Sequence, residues 1–88
     1  MVIKYKKSYK KAFKKLPNSI QEKAIKRIFD FSKNPLEKSL NNHALNWEYF
    51  WLRSINITWD YRAVFEEKPN NTYEFVEFVF IWTHSQLY

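Results

Sequence analysis

Two histidines, a turn carboxylate and two strand arginines are the residues of this chain whose types could carry out a reaction. His43 lies in Asn41-Asn42-His43 and His84 in Thr83-His84-Ser85. Asp60 stands at the start of a strand-like run, and Arg53 and Arg62 interrupt runs that otherwise read as buried. A strand arginine needs a partner or an open cleft, because a buried lone charge is costly. Such a set suits cleavage of RNA without a metal. A base takes the ribose 2′-hydroxyl proton, cations stabilise the pentacoordinate phosphorane, and an acid protonates the leaving 5′-oxygen. Imidazoles, with an ordinary pKa of about 6.5, serve either proton-transfer part near neutrality. The plainer readings are surface histidines without a role and a solvated turn carboxylate. With neither cysteine nor glycine in the chain, no thiolate metal site and no phosphate-cradling glycine loop is available. Metal-ligand spacing is also missing, so no cofactor is expected.

The elements that must position these residues follow from periodicity. Tyr5, Tyr9, Ala12, Phe13 and Leu16 fall on one helical face, with lysines around the rest. Pro17-Asn18 breaks that helix. Ser19 followed by Glu22 is a capping-box signature for a second one, with Ile20, Ala24, Ile25, Ile28 and Phe29 as its buried stripe and Asn34-Pro35 as its end. From about Glu48 the chain turns to aromatic and β-branched runs, which predict strands near 48–57, 60–67 and 73–81. Pro69-Asn70-Asn71 supplies the hairpin turn between the last two, and Val2–Tyr5 is a further short strand. The predicted class is α+β, an N-terminal helical hairpin near residues 6–33 packed on a twisted antiparallel sheet of three to four strands.

At 88 residues the chain suffices for one domain, residues 1–88, and a single modest core. Eight Phe, six Tyr and four Trp give that core large buried area per residue. No run reaches the roughly 18 apolar residues of a membrane span, and no apolar run follows the first lysines as in a secretory signal. Lack of cysteine fits a reducing compartment, so a cytoplasmic protein with no membrane partner is expected. Charge is uneven: residues 1–33 carry eleven Lys or Arg against Glu22 and Asp30, a local balance of +9, and the remaining 55 residues sum to −3. A basic front half of this density, including Lys10, Lys11, Lys14 and Lys15, is the footprint of a polyanion-binding surface, with RNA foremost. Solvation of two helices is the other meaning of the same lysines.

Four strings recur in a telling order: Asn42-His43-Ala44-Leu45, Leu52-Arg53-Ser54-Ile55-Asn56-Ile57-Thr58, Asp60-Tyr61-Arg62-Ala63-Val64-Phe65, and Thr83-His84-Ser85-Gln86-Leu87-Tyr88. Through them, residues 40–88 resemble the YafQ-like branch of the RelE/ParE toxin superfamily; residues 1–33 agree in architecture more than in motif. The resemblance implies a toxin of a type II toxin–antitoxin pair, a ribosome-dependent mRNA endoribonuclease held inactive by a cognate antitoxin. Its implied partners are that antitoxin, the ribosome and mRNA, with a heterotetramer as one assembly open to the pair. By motif, His43, Asp60 and His84 match acid–base positions, and Tyr88 matches a terminal aromatic that orients or stacks on mRNA. Arg62 matches a strand arginine used on the scissile phosphate, and Arg53 is a further candidate for RNA contact. Lysines 10, 11, 14 and 15 would then face ribosomal RNA. Some YafQ-like toxins carry another histidine at the position of Asn56; here base and acid fall to His43 and His84, in either order, with Asp60 assisting. A ParE-like gyrase inhibitor and a catalytically inactive antitoxin-binding protein share the fold and stay open as alternatives.

Trp47, Trp51, Trp59 and Trp82 all stand where that family usually has glycine, in a chain with no glycine at all. Average usage would give about six glycines at this length. One cause would account for both facts, a gene that uses UGA for glycine but is translated with UGA as tryptophan; the alternative is a lineage that tolerates tryptophan at these positions. In the turn before Asp60 the family pattern implies a positive φ at Trp59, which a side chain resists by about 1 to 3 kcal/mol.

Overall fold

The computed structural model describes residues 1–87, and of Trp47, His84 and Leu87 the backbone alone. Its elements run β1 (Val2–Tyr5), α1 (Lys7–Lys14), α2 (Asn18–Lys33), β2 (His43–Ala44), β3 (Arg53–Asn56), β4 (Tyr61–Lys68), β5 (Phe75–Thr83) and α3 (His84–Leu87). Short 3-10 turns at Lys38–Leu40 and Trp47–Tyr49 flank β2. The strands form one five-stranded sheet in the order β1-β5-β4-β3-β2. The α+β class and the helical hairpin are as the sequence predicts. The sheet is larger than predicted and mixed, because β1 lies parallel to β5.

Helices and sheet share one aromatic centre. Phe31 of α2, Phe65 of β4 and Phe78 of β5 are fully buried. Their ring centroids lie 4.9 Å (Phe31 to Phe65), 5.7 Å (Phe31 to Phe78) and 5.4 Å (Phe65 to Phe78) apart. Such pairs add about 0.5 to 1.5 kcal/mol each beyond area burial. Ala24, Ile28, Ile55, Ala63, Val76 and Ile81 complete this cluster. Alternation along the strands sends the intervening side chains to the sheet's other face, where Leu45, Leu52 and Val64 pack with Val79, Phe80 and Trp82. At the bulge between Val64 and Phe65, Val79 drops out of the β4–β5 register, and its carbonyl accepts from the Ser8 hydroxyl.

Several local expectations need correction. No capping box starts α2: Pro17 is the N-cap, the Ile20 and Gln21 amides donate to its carbonyl, and Ser19 already lies inside the helix. The extended conformation of Pro17 opens the helix two residues earlier than a Ser19 cap would. Ile25 and Phe29 are not buried but 61% and 59% exposed. The inward stripe runs through Ile20, Ala24, Ile28 and Phe31, and the residue after each inward one is turned about 100° round the helix. Tyr5 belongs to β1, not to a helix, and packs on Tyr9 and Phe78. The first long strand starts at Arg53, not near Glu48, because the chain turns back where the Leu52 amide donates to the Tyr49 carbonyl at 2.9 Å. Trp59 is not among the positive-φ residues, which among those described are Asn41, Asn71 and Tyr73; the turn before Asp60 thus imposes no glycine backbone there. Among the described residues no helix is long and apolar enough to cross a membrane.

The β4–β5 hairpin turns at Pro69-Asn70-Asn71 as predicted, with the Thr72 amide donating to the Pro69 carbonyl. Its organiser is Glu67, 5% exposed, whose carboxylate accepts from the Asn71 and Tyr73 amides.

Candidate functional site

On the sheet face turned away from α1 and α2, strand register gathers the polar side chains. His43 pairs with Ser54, Asn56 with Arg62, and Arg62 with Trp82. Directly paired residues share a face, so His43, Ser54, Asn56 and Arg62 all point the same way. Arg62 is the hub and is only 2% exposed. Its Nε donates to Ser54 Oγ at 2.7 Å, and its Nη2 donates to the carbonyls of Ser54 at 3.0 Å and Asn41 at 2.7 Å. Nη1 donates to Asn56 Oδ1. This planar fork explains how a strand arginine is tolerated, since each of its three nitrogens donates to an oxygen.

His43 joins the same cluster. Its Nδ1 lies 2.9 Å from the Asn41 carbonyl and 3.2 Å from Arg62 Nη2. The two contacts set opposite tautomers. With the proton on Nδ1, donated to Asn41, Nε2 carries a lone pair and acts as a base. If Nδ1 instead accepts from Arg62, Nε2 holds the proton of the neutral ring and has no lone pair with which to act as a base. His43 is half-buried in the two-residue strand β2, not in an open loop as its polar neighbours imply.

The other predicted residues are distributed differently. Asp60 sits one residue before β4, in a turn held by Thr58, whose hydroxyl accepts from the Asp60 and Tyr61 amides at 3.3 and 3.1 Å. Its carboxylate makes no hydrogen bond or ion pair with another described residue. The backbone of residue 84 starts α3 directly after Thr83, which pairs with Tyr61 beside Arg62. Gln86 fixes this corner by accepting from the Thr83 amide at 2.8 Å. The His84 side chain and all of Tyr88 lie outside what the structure describes.

Arg53 is not drawn into the cluster. It alternates to the opposite side from Ser54, and its Nε donates to Asn42 Oδ1 at 2.9 Å. The Asn42 amide in turn donates to the Pro35 carbonyl and to Tyr73 Oη, so Arg53 braces the loop that carries His43. Lys10, Lys11, Lys14 and Lys15 are exposed on the helical layer, across the sheet from Arg62. Lys10 and Lys14 border an open groove of about 490 Å³ with Tyr5, Tyr9, Phe13, Ile25 and Ile28. Burial, with Tyr5 as a neighbour, pushes the Tyr9 hydroxyl pKa well up and keeps it neutral. The lysine surface and the Arg62–His43 centre are thus separate surfaces of one domain.

Sequence reasoning missed Asn41, Ser54 and Asn56 as functional residues. Ser54 and Asn56 carried a signal, as small polar side chains at alternate positions of a buried strand. Asn41 carried a fainter one: at φ 49° it is left-handed, a conformation that asparagine adopts more readily than most residues.

No protein-family model matches this sequence, and no curated protein does. Solved structures do resemble it. A YoeB/ParE toxin from Agrobacterium tumefaciens superposes with a TM-score of 0.75 at 16% identity, covering 96% of this chain and 99% of that one. A chain of the toxin–antitoxin complex RelBE2 from Mycobacterium tuberculosis gives 0.74 at 18% identity, covering 93% and 95%. YafQ from E. coli gives 0.68 at 17% identity, covering 98% and 96%, and a DinJ–YafQ complex gives 0.67 at the same identity and coverage. The fold is that of RelE-like toxins, and the likeness spans nearly the whole of each chain.

Proposed function

We propose that this protein is the toxin of a type II toxin–antitoxin pair and that it cleaves mRNA on the ribosome by metal-free acid–base chemistry. The observation that carries this reading is the convergence of Arg62, His43, Asn41 and Asn56 on the sheet face opposite α1 and α2. A cation buried beneath an imidazole provides one proton-transfer group and a fixed positive charge, two of the three requirements for 2′-hydroxyl attack on a phosphodiester. His84 is assigned as the second proton-transfer group by its motif, and its backbone follows Thr83, which pairs with Tyr61 next to Arg62 in the chain. Arg62 acts from below: its donors are engaged inward, so it orients His43 and contributes field to the phosphate without leaving the sheet. Asp60 assists from the adjoining turn, and Tyr88 is assigned to stacking on mRNA by its motif alone.

Lys10, Lys11, Lys14 and Lys15 serve as the contact to ribosomal RNA, leaving the opposite sheet face to the message. The cognate antitoxin is the regulatory partner. Support for these assignments comes from the four matching sequence strings and from fold likeness to toxins, two of them in antitoxin complexes.

The test is cleavage in a translation extract. Wild-type protein should cut translated mRNA, and His84→Ala should lose cutting while still binding the product of the neighbouring reading frame. Equal cutting by both proteins would remove His84 from the mechanism. Inhibition of DNA supercoiling with mRNA left intact would select gyrase inhibition instead.

A further inference from the structure

We propose that Arg27, on α2 and across the sheet from the site, is a positioning residue for the Arg62–His43 centre; this rests on the reading of that centre given above. Arg27 spans three elements with one side chain. Its Nε donates to the Asn56 carbonyl at 3.3 Å, its Nη2 to Ser39 Oγ at 3.0 Å, and its Nη1 to Asp30 Oδ2 at 3.4 Å. Asp30, one turn further along the helix, orients the guanidinium. The other two partners lead to Arg62 by separate routes.

The first route is Asn56 itself. Its main chain is held by Arg27 and its side chain accepts from Arg62 Nη1. The second runs through the 3-10 turn Lys38–Leu40. Ser39 is fixed by Arg27 and by Glu37, and the turn ends at Asn41 in the left-handed region. That conformation delivers the Asn41 carbonyl to both Arg62 Nη2 and His43 Nδ1. Leu40, fully buried, anchors the turn in the core. Two acceptors that fix the Arg62 guanidinium therefore come from segments that Arg27 ties to one helix. Lysine in its place would keep the charge but not the fork.

A solution experiment on the full chain decides this. In Arg27→Met, amides of β4 and β5 should keep wild-type shifts, while exchange of the Arg62 Nε proton with water accelerates about tenfold or more. The His43 ring nitrogens should shift toward a more averaged tautomer signal. In cleavage assays the loss should fall on kcat, with KM near wild type and Arg27→Lys recovering only part. Should Arg27→Met fail to fold, Ser39→Ala cuts one of the two routes and should give a smaller change of the same kind. Unchanged Arg62 exchange and unchanged His43 shifts in either folded variant would overturn the proposal. Because the resonance measurements need no substrate, a protein that proves not to cleave RNA would count against the function and leave this result readable.

Discussion

Arg62 Nη2 and His43 Nδ1 lie 3.2 Å apart although β3 runs between their strands, and both close on the carbonyl oxygen of Asn41, at 2.7 and 2.9 Å. Strands two places apart are separated by about 10 Å, a gap that a long side chain lying flat over Ser54 bridges. The relationship makes the proton on His43 answerable to Asn41. Whichever nitrogen carries it, the protein's own hydrogen bonds set the choice, and that choice decides whether Nε2 has a lone pair with which to serve as a base.

The fork of Arg62 should matter to stability as well as to chemistry. Arg62→Lys keeps the charge but cannot donate in plane to Ser54, Asn41 and Asn56 together, so urea unfolding should show a loss of about 1 to 3 kcal/mol. An unchanged midpoint would mean that the buried guanidinium is not organising the strands.

Glu67 offers a control far from the site. Glu67→Ala strips the acceptor from the Asn71 and Tyr73 amides, which should cost about 2 to 3 kcal/mol and speed hydrogen exchange at both amides. The Arg62 resonances, toward the other end of β4, should stay where they are.

A pH effect follows from Glu37. The Ser39 hydroxyl, foremost, and the Ser39 amide donate to its carboxylate and hold its pKa below the ordinary value of 4.5. A depressed carboxylate stabilises the folded state above its unfolded pKa, and that contribution is lost as pH falls through the folded value. Carbon-detected titration should therefore place the Glu37 midpoint below 4.5, and Ser39→Ala should move it back up.

The tryptophans separate by surroundings. Trp59 is 88% exposed, so Trp59→Gly should change stability by no more than about 0.5 kcal/mol. Trp82 packs at 5.1 Å on Phe80 and 5.6 Å on Tyr49, and Trp82→Gly should cost about 2 kcal/mol or more through lost contacts and backbone entropy. Chemical denaturation of both variants checks this. UGG codons at positions 47, 51, 59 and 82 would retire the idea of mis-decoded glycine, which requires UGA at all four.

Much of this arrangement was legible in the residues. Helical spacing gave α1 and α2, aromatic and β-branched runs gave β4 and β5, and Pro69-Asn70-Asn71 gave the hairpin. Val2–Tyr5 read as a strand, but its parallel seat beside β5 is a tertiary choice that no local pattern encodes. Ile25 and Phe29 read as core because a broad apolar stripe does not say which of its edges faces inward. At the site, His43 and Arg62 stood out as chemistry-bearing types. Asn41 did not: its contribution is a main-chain carbonyl, and the sequence of a loop does not announce where its carbonyls point. Lysine density suggested a polyanion-binding surface, and the sheet separates those lysines of α1 from Arg62.

The most direct measurement is the rate of mRNA cleavage by His43→Ala in a translation extract, with cut sites mapped by primer extension. Removing one acid–base group should slow cutting by about 100-fold or more, at unchanged sites and with antitoxin binding retained. Cleavage at the wild-type rate would contradict the account, because the imidazole that Arg62 and Asn41 hold in place would then have no part in the reaction.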